Sequence, residues 1–236
     1  MAPPLPPALA DLFAYGEPLA AGWEEVAGGV ALFAPGTNVL ALNAALLPDA
    51  APARLREAAA WQRARGQPPL LAVVGEEGRR AEAVASVRVG FYCAGEAPAS
   101  AQPSPFAVEQ VSRLHLPQWA AVLAEAYSTL EWAGALARHL AGRLEGRRDY
   151  VLLLAYAKGE AAGALLWQAA DTGGRAHLWG TLNPAATRPL LDGAAALAPS
   201  FPLRVSVPSA ISLSLPLTEA AEVSFILMKN RGNPPS

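Results

Sequence analysis

Tyr150-Val151-Leu152-Leu153-Leu154-Ala155-Tyr156-Ala157-Lys158-Gly159-Glu160-Ala161-Ala162-Gly163-Ala164-Leu165 is an apolar run, broken once by a Lys-Gly-Glu triplet and resumed through Gln168. Glycine in so short a break supplies the positive φ of a tight loop, so the stretch predicts a hairpin with both strands substantially buried. Asp171-Thr172-Gly173-Gly174 makes the next turn, and residues 176–182 read as a third antiparallel strand. Asn183 then caps a helix with Pro184 at its first position and Leu190, Leu191, Ala194 and Leu197 inward. A strand at 202–207 follows. Residues 211–217 have period two, but Pro216 argues against a central strand there, and 222–229 reads as the final strand.

Upstream, 106–111 alternates like a short strand, and Pro117 opens a helix that turns Trp119, Val122, Leu123 and Ala126 to one face. A second helix carries the stripe Trp132, Leu136, Leu140 and Leu144, with arginines at 138, 143, 147 and 148 as a solvated C-terminal end. Before these lies Gly95-Glu96-Ala97-Pro98-Ala99-Ser100-Ala101-Gln102-Pro103-Ser104-Pro105, whose prolines and small residues favour an extended connector. It divides the chain into 1–95, a linker at 96–105, and 106–236.

The first part echoes the second. Residues 38–46 are strand-like, Asp49 and Pro52 start a helix through Arg65, and Gly66 ends it. Pro69-Leu70-Leu71-Ala72-Val73-Val74 then stands against Pro202-Leu203-Arg204-Val205-Ser206-Val207 at an offset of 133, and Val89-Gly90-Phe91 against Val223-Ser224-Phe225 at 134. Two corresponding strands at nearly one spacing suggest a duplicated unit. The expected fold class is α/β (α+β): two modules with mixed, largely antiparallel sheets flanked by helices, the first module partial.

Composition bounds the function. Of 236 residues, 53% are hydrophobic and 16% charged, which excludes a disordered chain. A net charge of −2 provides no broad positive field, so neither nucleic acid nor an anionic membrane is expected as partner. The single cysteine, Cys93, excludes an intrachain disulfide and reads as small core filler. Met1 to Pro7 lacks the basic residues of a secretory leader, and no apolar run reaches the ~18 residues of a membrane span, so a cytoplasmic protein is expected.

The order of elements resembles the GNAT superfamily of N-acetyltransferases, in particular its tandem members. The hairpin quoted above looks like the second and third strands of that family. Trp179-Gly180-Thr181-Leu182-Asn183-Pro184 looks like its fourth strand entering the cofactor helix, and Val89-Gly90-Phe91 looks like the Gly-Phe before its last strands. The resemblance implies an acetyl-CoA cofactor whose pantetheine arm lies between two diverging strands, with the pyrophosphate on the next helix N-terminus. An amine acceptor attacks the thioester, with a base on one side and usually a tyrosine as acid. It implies Trp179, Gly180, Thr181, Leu182, Asn183 and Thr187 as cofactor-binding residues, a small-molecule amine as substrate, and a monomer or homodimer. His177, on the predicted fourth strand and pointing with Trp179 and Thr181 to one face, is the candidate general base.

The chain departs from the family at the phosphate loop. Asn183-Pro184-Ala185-Ala186-Thr187-Arg188-Pro189-Leu190 is short and lacks the family's glycines, and Pro189 removes another N–H donor. Leu47-Pro48-Asp49-Ala50-Ala51-Pro52 in the first part lacks them too. No tyrosine occurs between Ser209 and Glu222, where only Ser212 or Ser214 could bind or relay water. Two functional readings follow: an N-acetyltransferase with an eroded loop, or an inactive relative that binds a small ligand or serves assembly. His115 and His139 read as structural, Trp167 and Trp179 as core, and Glu24-Glu25, Glu76-Glu77 and Arg79-Arg80 as solvated surface. Three scattered histidines make no metal site.

Overall fold

The computed structural model describes residues 4–75, 83–94, 104–209 and 215–229. Among these residues eleven strands form one sheet: β1 (Gly22–Val26), β2 (Gly29–Phe33), β3 (Ala45–Leu46), β4 (Leu70–Val74), β5 (Ala83–Tyr92), β6 (Phe106–Val111), β7 (Tyr150–Ala157), β8 (Glu160–Ala170), β9 (Gly173–Thr181), β10 (Leu203–Pro208) and β11 (Leu217–Leu227). Among the described residues five helices flank it: α1 (Pro7–Gly16), α2 (Pro52–Ala64), α3 (Leu116–Ala126), α4 (Ala133–Leu144) and α5 (Thr187–Ala195). None of the helices among the described residues is long and apolar enough to cross a membrane.

The sheet order is β1-β2-β3-β4-β11-β5-β10-β9-β8-β7-β6. Apart from the edge strand β6 it is palindromic. β3 and β4 are parallel, as are β9 and β10, while β4 meets β11 and β10 meets β5 in antiparallel sense, with β5 and β11 paired at the centre. Each half's last strand therefore lies inside the other half. The two strand pairs matched at offsets of 133 and 134 occupy equivalent places in this order.

Side-chain alternation divides the core between the two faces. Leu152, Leu154 and Leu166 join α3, α4 and Tyr15 of α1 on one face, while Leu153, Leu165, Val205 and Val207 pack with Leu190, Leu191 and Ala194 of α5 on the other. α1 extends the first face over the other half through Leu9 and Leu12, and α2 covers the second through Ala58. The Lys158-Gly159 turn has φ of +52° and +86°, the left-handed pair that a two-residue hairpin demands. Arg113 donates to the carbonyls of Leu144 and Arg147, closing the C-terminal end of α4 where backbone acceptors are otherwise orphaned.

Several expectations need correction. Residues 38–46 hold a 3-10 turn at Leu40–Leu42 and only a two-residue strand, because the Asn43 side chain binds the carbonyls of Thr37 and Val39 and folds the segment back. Trp132 lies in a 3-10 turn, Leu130–Trp132, before α4, and Leu197 lies beyond the end of α5, so both are exposed. Cys93 follows the end of β5 and is exposed, not core filler. The final strand begins at Leu217, earlier than 222. Ser212 and Ser214, the Glu76-Glu77 and Arg79-Arg80 run, and most of the 96–105 linker lie outside the described residues.

Candidate functional site

β9 and β10 are paired only at Leu203 with Gly174, Arg204 with Arg175, and Val205 with Ala176. Beyond these the strands part, leaving a gap bordered by residues 177–181 and 206–208. Just where they part, β9 bulges: Ala176 and His177 together face Trp167 of β8, since Gln168 pairs with Arg175 and Leu166 with Leu178. The extra residue changes which face each side chain takes. Trp179 and Thr181 point towards α5, but His177 points to the opposite face, its ring edge-on to Tyr15 at 5.1 Å. The expectation that His177, Trp179 and Thr181 share one face is therefore wrong, because alternation holds only in an unbulged strand.

Side chains fill the gap. Trp179 is buried and donates its indole N–H to the carbonyl of Ser206 at 2.7 Å, directly across from β9 to β10. Ser206 Oγ donates to the carbonyl of His177 at 3.3 Å, and the Tyr127 hydroxyl donates to the carbonyl of Trp179 at 2.9 Å. Burial pushes the Tyr127 hydroxyl up to about 12, so it stays a neutral donor. Gly180 passes close under α3, where an added Cβ would come within 2.9 Å of Ala126 Cβ and 3.2 Å of the Tyr127 ring. Gly180→Ala is expected to destabilise the fold by about 1–3 kcal/mol through overpacking, read from the urea midpoint. A neutral result would mean that α3 shifts freely.

The loop after β9 is satisfied internally. The Asn183 side chain accepts from the Ala185 N–H at 2.9 Å, the Ala186 N–H donates to the Asn183 carbonyl, and the Thr187 N–H donates to Pro184. The Leu182 N–H is bound to Ala162. Thr187 is buried with its hydroxyl on Thr181 at 3.1 Å, and Leu182 is exposed. The six residues expected to bind a cofactor thus lie along one strand and loop, but their polar groups are turned on the protein itself.

His177 belongs to a cluster that the sequence did not suggest. Asp11 of α1 accepts from Arg175 Nε at 2.7 Å and Arg204 Nη1 at 3.1 Å on one oxygen, and lies 2.9 Å from His177 Nε2 on the other. Burial pushes the Asp11 carboxyl upward, but the hydrogen bonds and charges of His177 and Arg175 outweigh it and hold the group well below the usual carboxylate range. The His177 side chain is 2% exposed, and its Nδ1 is buried without a partner. Such a ring is anchored on Asp11 rather than presented to solvent. One cue was available: Asp11 is the single charged residue in an otherwise apolar helix segment, Pro7 to Gly16.

A cavity of about 500 Å³ opens beside this cluster, on the face that carries α1, α3 and α4. Leu12 and residues 38–41 and 84–87 wall it from the first half of the chain. Leu123, Leu136, Leu178, Ser206 and Phe225 wall it from the second. Neither half encloses it alone. The sequence could not reveal it, since its described walls come from eight separated segments.

Comparison with known proteins bears on the fold. No protein-family model and no curated protein matches the chain. A solved GCN5-related N-acetyltransferase from Kribbella flavida is similar over 94% of this chain and 96% of that one, at 16% identity and a TM-score of 0.56. A functionally unknown conserved protein from Staphylococcus epidermidis is similar over 80% of this chain and 86% of that one, at 10% identity and a TM-score of 0.57. With its diverging β9 and β10 and the helix α5 between them, the chain has the fold of the GCN5-related N-acetyltransferases.

Proposed function

We propose that this protein is a GNAT-fold binding protein that has kept the central cavity of the fold and given up acyl transfer. The observation that carries the reading is the Trp179 indole bonded across the strand gap to Ser206. A pantetheine arm lying there as an added strand needs free backbone donors and acceptors, and a pyrophosphate needs free N–H groups at the helix start. Carbonyls of His177, Trp179 and Ser206 are already accepting, the N–H groups of Ala185, Ala186 and Thr187 are already donating, and Pro184 and Pro189 have none. These residues do not fit acetyl-CoA.

The palindromic sheet supports a further part of the reading: 1–95 and 106–236 are related halves joined by the 96–105 linker, and the first half serves to wall the cavity of the second. The expected result is an unchanged melting temperature in millimolar CoA or acetyl-CoA. A functioning site at one hundred times its dissociation constant would add about 2.7 kcal/mol of stability, a shift easily seen by calorimetry. Such a shift would restore the N-acetyltransferase reading, with a small-molecule amine as acceptor.

A further inference from the structure

The cavity between α1, α3 and the centre of the sheet carries a definite chemical preference. None of its described lining residues is Asp, Glu, Lys or Arg. Its hydroxyls are mostly engaged: Tyr127 on the Trp179 carbonyl, Thr129 on Ala124, Ser206 on His177, and Ser86 against Ser224. The imidazole of His177 is held on Asp11 and closed off at Nδ1. The remaining described wall is aliphatic and aromatic apart from two uncharged polar side chains, Asn38 and Ser209. Two of the lining residues, Leu40 and Val84, are exposed apolar side chains at 36% and 53%. A volume of about 500 Å³ lies within the roughly 300–1,000 Å³ of small-molecule pockets.

We infer that the ligand of this cavity is an uncharged, largely apolar small molecule, an alkyl or aromatic body with at most a hydroxyl or carbonyl, and that ammonium and carboxylate compounds are rejected. This rests on the binding reading given above. A charged head group entering the cavity would lose its hydration and find no counter-ion among the described lining residues, whereas an apolar body gains by leaving water. The class differs from an amine acceptor, which is an ammonium ion at neutral pH.

The test uses the full chain and the neutral fluorophore N-phenyl-1-naphthylamine, displaced by three ligands that share an eight-carbon chain. Octan-1-ol is expected to displace the probe at concentrations at least about tenfold lower than octylammonium or octanoate. Ala41→Phe and Ala85→Phe, two independent ways of filling the cavity, are each expected to weaken probe binding by more than about tenfold with circular dichroism unchanged. Either variant suffices if the other fails to fold. Octylammonium or octanoate displacing as well as octanol overturns the ligand class while leaving the binding reading intact. Probe binding unaffected in folded variants places the probe elsewhere and overturns the inference. A CoA-induced rise in melting temperature instead overturns the binding reading itself.

Discussion

Replacing Asp11 with alanine is expected to lower the unfolding free energy by about 3–5 kcal/mol, the loss that follows when one partner of a buried ion cluster is removed. Arg175, His177 and Arg204 converge on this one carboxylate at 2.7 to 3.1 Å, and Asp11 is only 11% exposed. Without it, two partly buried guanidinium groups keep only the neutral partners Gln168 and Thr172. Asp11→Asn restores the shape but not the charge, so it recovers only part of the loss. Urea denaturation at neutral pH measures both. A loss below about 1 kcal/mol for the alanine variant would mean that the cluster is solvated and that α1 is held by its apolar contacts alone.

The same cluster fixes a pH dependence. The Asp11 carboxyl has a folded pKa depressed below its unfolded value. Its contribution is therefore complete above about pH 4 and is lost as pH falls from there through the folded pKa. The stability difference between wild type and Asp11→Ala is accordingly expected to shrink steadily as the medium is acidified below about pH 4. A difference that stays constant down to the acid transition would sink the assignment.

The second large effect is expected at Trp179. Trp179→Ala removes a fully buried indole from the core beneath α5 and should cost about 3–5 kcal/mol, with most of the space left as a cavity. It also strips the Ser206 carbonyl of its donor. Trp179→Phe separates the two contributions, because it keeps a ring but loses the N–H. The unpaired carbonyl is expected to cost about 1–3 kcal/mol there. Because the loop N–H groups at 185–187 stay engaged whatever occupies position 179, Trp179→Ala is expected to show no stabilisation by CoA. Stabilisation of that variant alone would show that the indole by itself had closed the site.

The hairpin at 150–168 was readable in the sequence because its apolar runs and its Lys158-Gly159 turn are local signals. The loop after β9 was readable too, because missing glycines and added prolines act on the backbone wherever the chain goes. The face taken by His177 was not, since one bulge opposite Trp167 reverses the alternation and nothing in the local pattern announces it. Nor could Tyr127, Ser206 and Trp179 be seen as a set, since their bonds join α3, β10 and β9 across the fold.

By itself, then, the amino-acid sequence determined the strands and helices of the C-terminal half, the repeat at offsets of 133 and 134, and the absence of a glycine phosphate loop. These are properties of short segments, set by side-chain periodicity and backbone freedom. Tertiary structure alone decided that β5 and β11 exchange places between the halves, that α1 delivers Asp11 to Arg175, His177 and Arg204, and that an apolar cavity closes between the halves. Each of those depends on residues far apart in the chain meeting in a common core, where desolvation makes every polar group find a partner and leaves the uncharged surface to whatever ligand can share it.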